Sequence, residues 1–275
     1  MTSSTLLAAA CAALFAAPAL DAQPAAPSQT GYRETIPGTA VTFEMVQVPA
    51  GTVTLDGKPV AVGPFAIGRT EVTWDMYDVF ALGLDSKGGS AAGPDAVARP
   101  SQPYGSPDYG WGHAGYAAIS VTRSAAQAFA DWLSARTGRP YRLPTEAEWV
   151  HAAQLAAGGG ALADARRDEL AWHRGNSDAR SHAVASKKPD ALGLYDLFGN
   201  AAEWVTTAGE DLVTRGGSFR DPPETVGPAA RAEQDDAWNE RDPQLPKSSW
   251  WLSDGPFVGF RLVLPGELPK SSKSP

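Results

Sequence analysis

The sequence predicts one loop-rich domain of the α+β class, with short strands, few and short helices, and many turns. Glycine and proline are frequent, at 28 and 23 of 275 residues, and both types concentrate in turns. Segments with the apolar pattern of strands come first and segments with helical periodicity follow. Hydrophobic residues make up 43%, which suffices for a sizeable core and argues against global disorder.

The first strands are predicted before residue 70. Val41 to Pro49 carries apolar side chains on both alternating sets of positions, which is typical of a strand buried on both faces. Two further short strands are predicted at Gly51 to Leu55 and Val60 to Ile67, separated by a turn at Asp56-Gly57.

Three helices are predicted in the next hundred residues. The first begins after the capping residue Thr73, and its apolar face contains Met76, Tyr77, Phe80, Ala81 and Leu84. The second runs from Ser124 to Arg136 and ends at Gly138, which suits a left-handed stop. The third begins at Thr145, which forms a capping box with Glu148.

The remaining chain is predicted to be mostly loops. Ser86 to Pro107 is rich in Gly, Ser and Pro and predicts a long surface loop. After Leu170 we expect loops with two late strands, at Arg215 to Phe219 and Phe257 to Val263. No internal repeat and no second domain is apparent in the sequence.

The N-terminus predicts export. Leu6 to Ala19 is almost wholly apolar, and Ala22 offers a cleavage point before Gln23, so residues 1–22 are predicted to be a signal peptide. The apolar run is short for a transmembrane span, and a buried helix of the fold is the alternative. We assign residues 23–40 to a linker, 41–264 to the domain and 265–275 to a disordered tail, and expect a periplasmic or secreted protein.

The only cysteine, Cys11, falls inside the predicted signal peptide. Lipid modification of Cys11 is an alternative use of this residue. After cleavage the chain would have no disulfide, no thiolate ligand and no cysteine nucleophile. The net charge of −8 argues against nucleic acid or an anionic membrane as a partner, and favours a peptide or small-molecule ligand.

Six blocks of sequence carry recognisable motifs. They are Phe43 to Gly51, Pro64 to Thr73, Tyr141 to Trp149, Leu192 to Asn200 with Glu203-Trp204, Arg215 to Phe219, and Gly259 to Arg261. In this order they resemble the formylglycine-generating enzyme family, also called the sulfatase-modifying factor family. The block at Tyr141 to Trp149 is the most specific. The resemblance implies a divergent C-type-lectin-like fold.

The resemblance also implies a calcium site. Its ligands would be the side chains of Asp196 and Glu203 and the carbonyl oxygens of Gly199 and Ala201. Oxygen ligands close together in sequence suit calcium. The alternative is a turn in which Asp196 and Asn200 bond local amides.

A second calcium site of the family would use Asn176 and the carbonyl oxygen of Ser177, although the spacing beyond these residues is shortened here. The neighbouring helix start has a structural explanation, because the capping box accounts for Glu148 and Arg142 can pair with an acid. A general-base role for Glu148 is the alternative.

The catalytic position of the family is altered. Family enzymes bind copper through two cysteines in the segment that here runs from Arg220 to Pro228 and contains none. Because Cu(I) is held by soft thiolates, we expect neither copper nor the oxidase reaction. Another branch holds iron through histidines, but the four here, at positions 113, 151, 173 and 182, lack helical ligand spacing. Iron is therefore not expected.

Five residues are candidates for the cleft. Arg231 follows the altered segment, and Glu224 lies within it. Trp250 and Trp251 are expected to stack on a ligand whose carboxylate or phosphate would bind Arg231 or Arg261. Packing of the two indole rings in the core is the alternative.

Two functions follow from the sequence. The first is a periplasmic modifying enzyme with altered chemistry, acting on a peptide or secondary metabolite, for which a cysteine-free relative that matures a siderophore peptide is the example. It would use acids such as Glu224, Glu233, Asp235 or Asp236. The second is a non-catalytic, calcium-stabilised binding module for a peptide, a glycan or an envelope protein. Sulfatase maturation by another oxidant is a third.

The shape of the cleft distinguishes the first two functions. Paired carboxylates in a deep cleft favour catalysis, and a cleft with only Trp and Arg favours binding.

Overall fold

A computed structural model describes residues 31–85, 98–103 and 105–268. The predicted signal peptide with Cys11 and residues 269–275 of the predicted tail lie outside the described residues. No helix among those described is long and apolar enough to cross a membrane.

The first sheet forms the centre of the domain. Its four strands are antiparallel in the order β1-β2-β5-β10, with β1 at Gly31–Thr35, β2 at Thr42–Val48, β5 at Phe65–Gly68 and β10 at Val263–Pro265. In β2 the successive residues Met45 and Val46 are both fully buried and face two different hydrophobic clusters. The prediction that this strand is buried on both faces is confirmed.

A hairpin and a second sheet complete the strands. The hairpin pairs β3 (Gly51–Leu55) with β4 (Lys58–Val62), and the predicted turn at Asp56-Gly57 has positive φ at both residues, 50° and 74°. The second sheet has the order β8-β7-β6-β9, with only the β6–β9 pair parallel, and consists of β6 (Ala202–Val205), β7 (Val213–Gly216), β8 (Gly227–Glu233) and β9 (Val258–Gly259).

The helices are short and flank the sheets. They are α1 (Trp74–Ala81), α2 (Arg123–Thr137), α3 (Glu146–Ala156) and α4 (Asp164–Leu170). The capping box of Thr145 and Glu148 and the left-handed Gly138 are confirmed. Thr73 precedes α1, but its side chain makes no capping hydrogen bond.

Two hydrophobic clusters lie on either side of the first sheet. The larger contains α1 and α2 with Trp74, Phe129 and Phe260, and the smaller contains α3 with Trp149 and Phe198. The arrangement of helices and small sheets agrees with the predicted α+β class.

The domain extends beyond both predicted ends, so the linker and tail assignments are wrong where the structure describes them. Residues 31–35 form β1, which pairs with β2 along its whole length, and Ile36 is fully buried. At the other end Pro265 closes β10, and Leu268 is 8% exposed. These segments are too polar in sequence to reveal that they pair with buried strands.

Other boundaries also differ from the prediction. Val60 to Ile67 is two strands in different sheets, because Pro64 has no amide for a ladder. The strand predicted to end at Phe219 stops at Gly216, since Gly216 and Gly217 both have positive φ. Strand β8 and helix α4 were not predicted, because mostly exposed segments such as α4, in which only Leu170 is buried, show no clear hydrophobic period.

Candidate functional site

Four of the sequence blocks meet at a fully buried arginine. Arg261 has 0% exposure, and its Nε donates to Glu203 Oε1 at 2.8 Å. Its terminal nitrogens donate to the carbonyl oxygens of Gly68 and Tyr195 at 2.7 and 2.8 Å. Trp149 Nε1 donates to the other carboxylate oxygen of Glu203 at 2.8 Å. Because a buried charge is tolerated only when it is paired and hydrogen-bonded, this ion pair constrains all four segments.

A second buried carboxyl group lies beside this pair. Glu71 is fully buried and accepts hydrogen bonds from the side-chain amide of Asn200 at 3.1 Å and from the backbone amide of Ala201 at 3.0 Å. Burial, and then the nearby Asp196, raise the pKa of Glu71 well above its ordinary value. Sequence reasoning gave Glu71 no role, although it lies within a recognised block.

Asp196 is the third carboxyl group of the site. It is 2% exposed, and burial raises its pKa to about 6. Its Oδ2 accepts a hydrogen bond from the Ala185 amide at 2.7 Å, whereas its Oδ1 has no hydrogen-bond partner among the described residues. We call this set of residues the Arg261 cluster: Arg261, Glu203, Trp149, Glu71, Asn200 and Asp196.

The segment Arg220 to Pro228, which the resemblance places at the family's catalytic position, forms a loop with many local hydrogen bonds. Asp221 Oδ2 accepts hydrogen bonds from the backbone amide and the hydroxyl of Ser218 at 2.8 and 2.7 Å. The Arg220 guanidinium lies 3.2 Å from the centroid of the Phe257 ring, and Pro223–Thr225 forms one turn of 3-10 helix. The polar groups of this loop therefore bond chiefly to their own neighbours.

A cavity of about 350 Å³ opens beside Trp251, and we call it the Trp251 cavity. Its walls combine aromatic rings, prolines, neutral polar side chains and one leucine, among them Pro107, Tyr109, Ser120, Asn239, Gln244 and Leu252. Within the described chain its charged lining residues are Arg241 and Asp242 alone. The volume lies in the range typical of small-molecule sites, roughly 300–1,000 Å³.

Comparison with known proteins identifies the family. Residues 33–243 match the family described as the sulfatase-modifying factor enzyme 1-like domain, which is most of the chain. The chain belongs to this family. The resemblance inferred from the sequence blocks is confirmed.

Solved structures show that the chain has the fold of the sulfatase-modifying factor family. Treponema denticola variable protein 1 aligns with a TM-score of 0.61 at 23% identity, covering 86% of this chain and 99% of that one. PvdO from Pseudomonas aeruginosa aligns with a TM-score of 0.58 at 25% identity, covering 84% and 99%. CarF aligns with a TM-score of 0.57 at 24% identity, covering 82% and 99%. The predicted C-type-lectin-like fold is confirmed.

One curated relative is similar over a shorter stretch. The serine/threonine-protein kinase pkn1 of Chlamydia pneumoniae is 38% identical over 96 residues, which are 34% of this chain. The match spans 14% of the length of that protein, so it concerns a small part of the kinase chain.

The five predicted cleft residues of this family member do not converge. Arg261 is buried in the cluster and Trp250 is 8% exposed in the hydrophobic core, so neither lines a cleft. Arg231 on β8 pairs with Glu146 of α3 and with its strand neighbour Glu233. The exposed Glu224 borders a separate depression, and Trp251 alone lines the Trp251 cavity.

The residues predicted for a second calcium site have other partners. Asn176 Oδ1 accepts a hydrogen bond from the His173 amide at 2.9 Å. The Ser177 carbonyl oxygen lies 2.8 Å from His182 Nε2. Because neither site residue offers an oxygen without a partner, as Asp196 Oδ1 does, we do not carry this second site forward.

Glu148, for which a general-base role was the alternative to the capping box, is also engaged. It forms a two-pronged ion pair with Arg142 at 2.7 Å for each contact and accepts the amide of Thr145. This geometry supports its structural role at the helix start. The four histidines lie apart, and no three His, Cys, Asp or Glu side chains in the described segments converge on one metal position.

His113 connects one wall of the Trp251 cavity to α1 through contacts with two aspartates. His113 Nδ1 lies 2.8 Å from Asp108, next to the lining residue Tyr109, and His113 Nε2 lies 2.8 Å from Asp78 on α1. The imidazole stacks on Trp74 with centroids 5.1 Å apart. Partial burial would lower the pKa of His113, but hydrogen bonds to Asp78 and Asp108 outweigh it and raise the pKa above its ordinary value.

The Arg261 ion pair predicts a large effect of substitution. We expect Arg261→Met to lower the free energy of unfolding by roughly 3–5 kcal/mol, because it leaves Glu203 buried without its cation. Urea unfolding followed by circular dichroism measures this. The control is Lys188→Met, which breaks an exposed pair with Glu169 and should change little. An Arg261→Met protein as stable as the wild type would contradict this account.

The His113 contacts predict a pH dependence. Since the folded-state pKa lies above the unfolded value of about 6.5, the stabilisation is complete below that value and is lost as pH rises through the folded-state pKa. Between about pH 6 and pH 9, the melting temperature of the wild type should therefore fall more than that of His113→Gln. The charged groups facing the imidazole are Asp78 and Asp108. Parallel curves for the two proteins would exclude this role of His113.

Proposed function

We propose that this chain is an exported, ligand-binding member of its family that has lost the copper-dependent oxidase reaction and binds its ligand in the Trp251 cavity. The observation that carries this proposal is the chemistry of the cavity lining. Rings and neutral polar groups dominate it, as is usual where a site binds and orients a ligand. Export rests on the apolar segment Leu6 to Ala19.

The charged residues of the cavity are already engaged. Asp242 Oδ1 accepts the Gln244 amide at 2.9 Å, and its Oδ2 accepts the Ser248 amide at 2.6 Å. Burial would raise the pKa of Asp242, but these amide hydrogen bonds hold it below its ordinary value. Arg241 pairs with Asp254. A carboxylate held ionised by two amides is a weak proton acceptor, so the lining favours binding over general-base catalysis.

The acids suggested for an enzyme lie elsewhere. Glu233 pairs with Arg231, and Asp235 accepts the Ala237 amide at 2.8 Å. Asp235 and Asp236 border a wider depression on the far side of Asn239. None of these residues lines the Trp251 cavity, and a modifying enzyme is therefore the less favoured function.

We also propose that a calcium ion stabilises the fold at the Arg261 cluster. Within the cluster Arg261 balances the charge of Glu203, which leaves the buried carboxyl group of Asp196 without an ion pair among the described residues. Asp196 Oδ1, which has no partner among the described residues, would be the principal ligand. Glu203 would share its oxygens with Arg261 and Trp149, and the carbonyl oxygens of Gly199 and Ala201 would complete the set. When bound, the ion supplies structural charge balance.

Calcium removal tests the second proposal. Elemental analysis should find about one calcium per chain, and a chelator should lower the melting temperature. Asp196→Ala should lose the metal, whereas Asp190→Asn, which alters a half-buried carboxyl group outside the cluster, should keep it. The proposal would be refuted if the protein contains no calcium and the chelator leaves its melting temperature unchanged.

Ligand binding tests the main proposal. A library of N-acetylated, C-amidated dipeptides is screened against residues 23–275 by saturation-transfer NMR. Because Tyr109 is 37% exposed at the cavity, Tyr109→Ala should fold normally and lose the signals of cavity ligands. Trp172→Ala, which removes a ring stacked on His182 elsewhere, is the control. Equal binding by Tyr109→Ala, or chemical turnover of the ligand, would overturn the proposal.

An activity assay on the same protein distinguishes ligand binding from the oxidase reaction. Incubation with copper, oxygen and a cysteine-containing peptide should leave the thiol peptide without aldehyde product by mass spectrometry. Formation of the aldehyde would show that this chain carries out the oxidase reaction and would contradict the proposal.

A further inference from the structure

Ser120 lies on the wall of the Trp251 cavity. Both its backbone conformation and the burial of its hydroxyl are energetically unfavourable. Its φ of 63° lies in the left-handed region, which disfavours side chains other than those of Gly, Asn and Asp. It is 4% exposed, and its hydroxyl has no hydrogen-bond partner among the described residues. An unpaired buried hydroxyl costs free energy. Glycine at this position would remove both costs.

The backbone does not depend on the serine side chain. The Ser120 amide donates to the Val258 carbonyl oxygen at 2.9 Å, and the Ser120 carbonyl oxygen accepts from the Leu252 amide at 2.8 Å. These backbone bonds hold the left-handed conformation whichever side chain is present. A residue that violates local preferences in this way is characteristic of a functional position.

The surroundings of Ser120 indicate the chemistry of a ligand. The Trp251 and Tyr109 rings and three prolines offer flat apolar contact. Arg241 forms an ion pair with Asp254, and Asp242 accepts the Ser248 backbone amide. The Ser120 hydroxyl is therefore an uncharged group of this wall that can still form a hydrogen bond. A serine side chain has three staggered rotamers, so rotation about χ1 can turn the hydroxyl toward a bound molecule.

Two aromatic neighbours of Trp251 also have buried polar atoms without a hydrogen-bond partner among the described residues. Its ring contacts Tyr77 and Trp74, with centroids 6.0 and 6.4 Å away. The Tyr77 hydroxyl and the Trp74 indole nitrogen are also buried without a hydrogen-bond partner in the described residues. Trp74 and Tyr77 pack in the core behind Trp251 and do not line the cavity. Among the described lining residues, Ser120 alone has a buried side-chain polar atom without a partner.

We infer that Ser120 is the specificity-determining residue of the Trp251 cavity. It donates a hydrogen bond to the carbonyl oxygen of an uncharged ligand whose aromatic ring lies against Tyr109 and Trp251. The ligand class is an aromatic amide, as presented by an aromatic residue of a peptide. This inference rests on the proposed function and adds the chemical class of the ligand and the residue that selects it.

Two matched probes test the inference. Indole-3-propionamide carries an amide carbonyl, and 3-propylindole has the same ring and chain length without it. Ser120→Gly removes the hydroxyl while suiting the left-handed backbone, so this variant should fold at least as well as the wild type. We expect it to bind indole-3-propionamide about three- to tenfold more weakly, with unchanged affinity for 3-propylindole, by ligand-observed NMR titration.

Ser253→Ala is the control within the same cavity. Its hydroxyl already donates to Asp254 at 2.6 Å, so its removal should not change the preference for the amide. Ser120→Ala, which keeps Cβ but removes the hydroxyl donor, provides a second variant and should likewise lose that preference.

The outcomes separate this inference from the proposed function. If both probes bind the wild type and Ser120→Gly with the same affinities, while Tyr109→Ala loses them, the cavity is a binding site but Ser120 does not select the ligand. If Tyr109→Ala binds both probes like the wild type, the proposed function fails as well.

Discussion

The buried ion pair between Arg261 and Glu203 is the constraint on which the fold depends. Arg261 also binds the carbonyl oxygens of Gly68 and Tyr195, which brings the two sheets and the segment before β6 to one point. A guanidinium with no access to water requires each of these partners in place. The most recognisable motifs of the sequence therefore lie together for a structural reason, away from the Trp251 cavity.

The sequence predicted features that local interactions determine. The capping box at Thr145, the left-handed Gly138 and the turn at Asp56-Gly57 were all correct, because each depends on neighbouring residues. Strand β1 was missed because its pairing with β2 is a tertiary interaction. Trp251 lines a cavity, and its role toward a ligand stays a prediction. Arg261 was expected in a cleft but is fully buried, since an arginine in isolation predicts exposure.

The candidate site was less predictable than the fold. Ser120 has no sequence signal, because its left-handed backbone and unpaired hydroxyl are visible only once Val258 and Leu252 are positioned around it. The altered segment at Asp221 was predicted to lack copper ligands, and the Asp221 carboxylate bonds to the neighbouring Ser218. Loops on a rigid scaffold commonly carry a new function, and the Trp251 cavity is built largely from such loops.

The indole N–H resonances of the tryptophans report directly on where a ligand binds. Trp251 Nε1 donates to the Ser101 carbonyl oxygen at the cavity, and Trp149 Nε1 donates to Glu203 in the Arg261 cluster. On titration with an aromatic amide, a two-dimensional ¹H–¹⁵N spectrum should show the Trp251 resonance shifting while that of Trp149 stays in place. A shift confined to other resonances would contradict the assignment of the Trp251 cavity as the binding site.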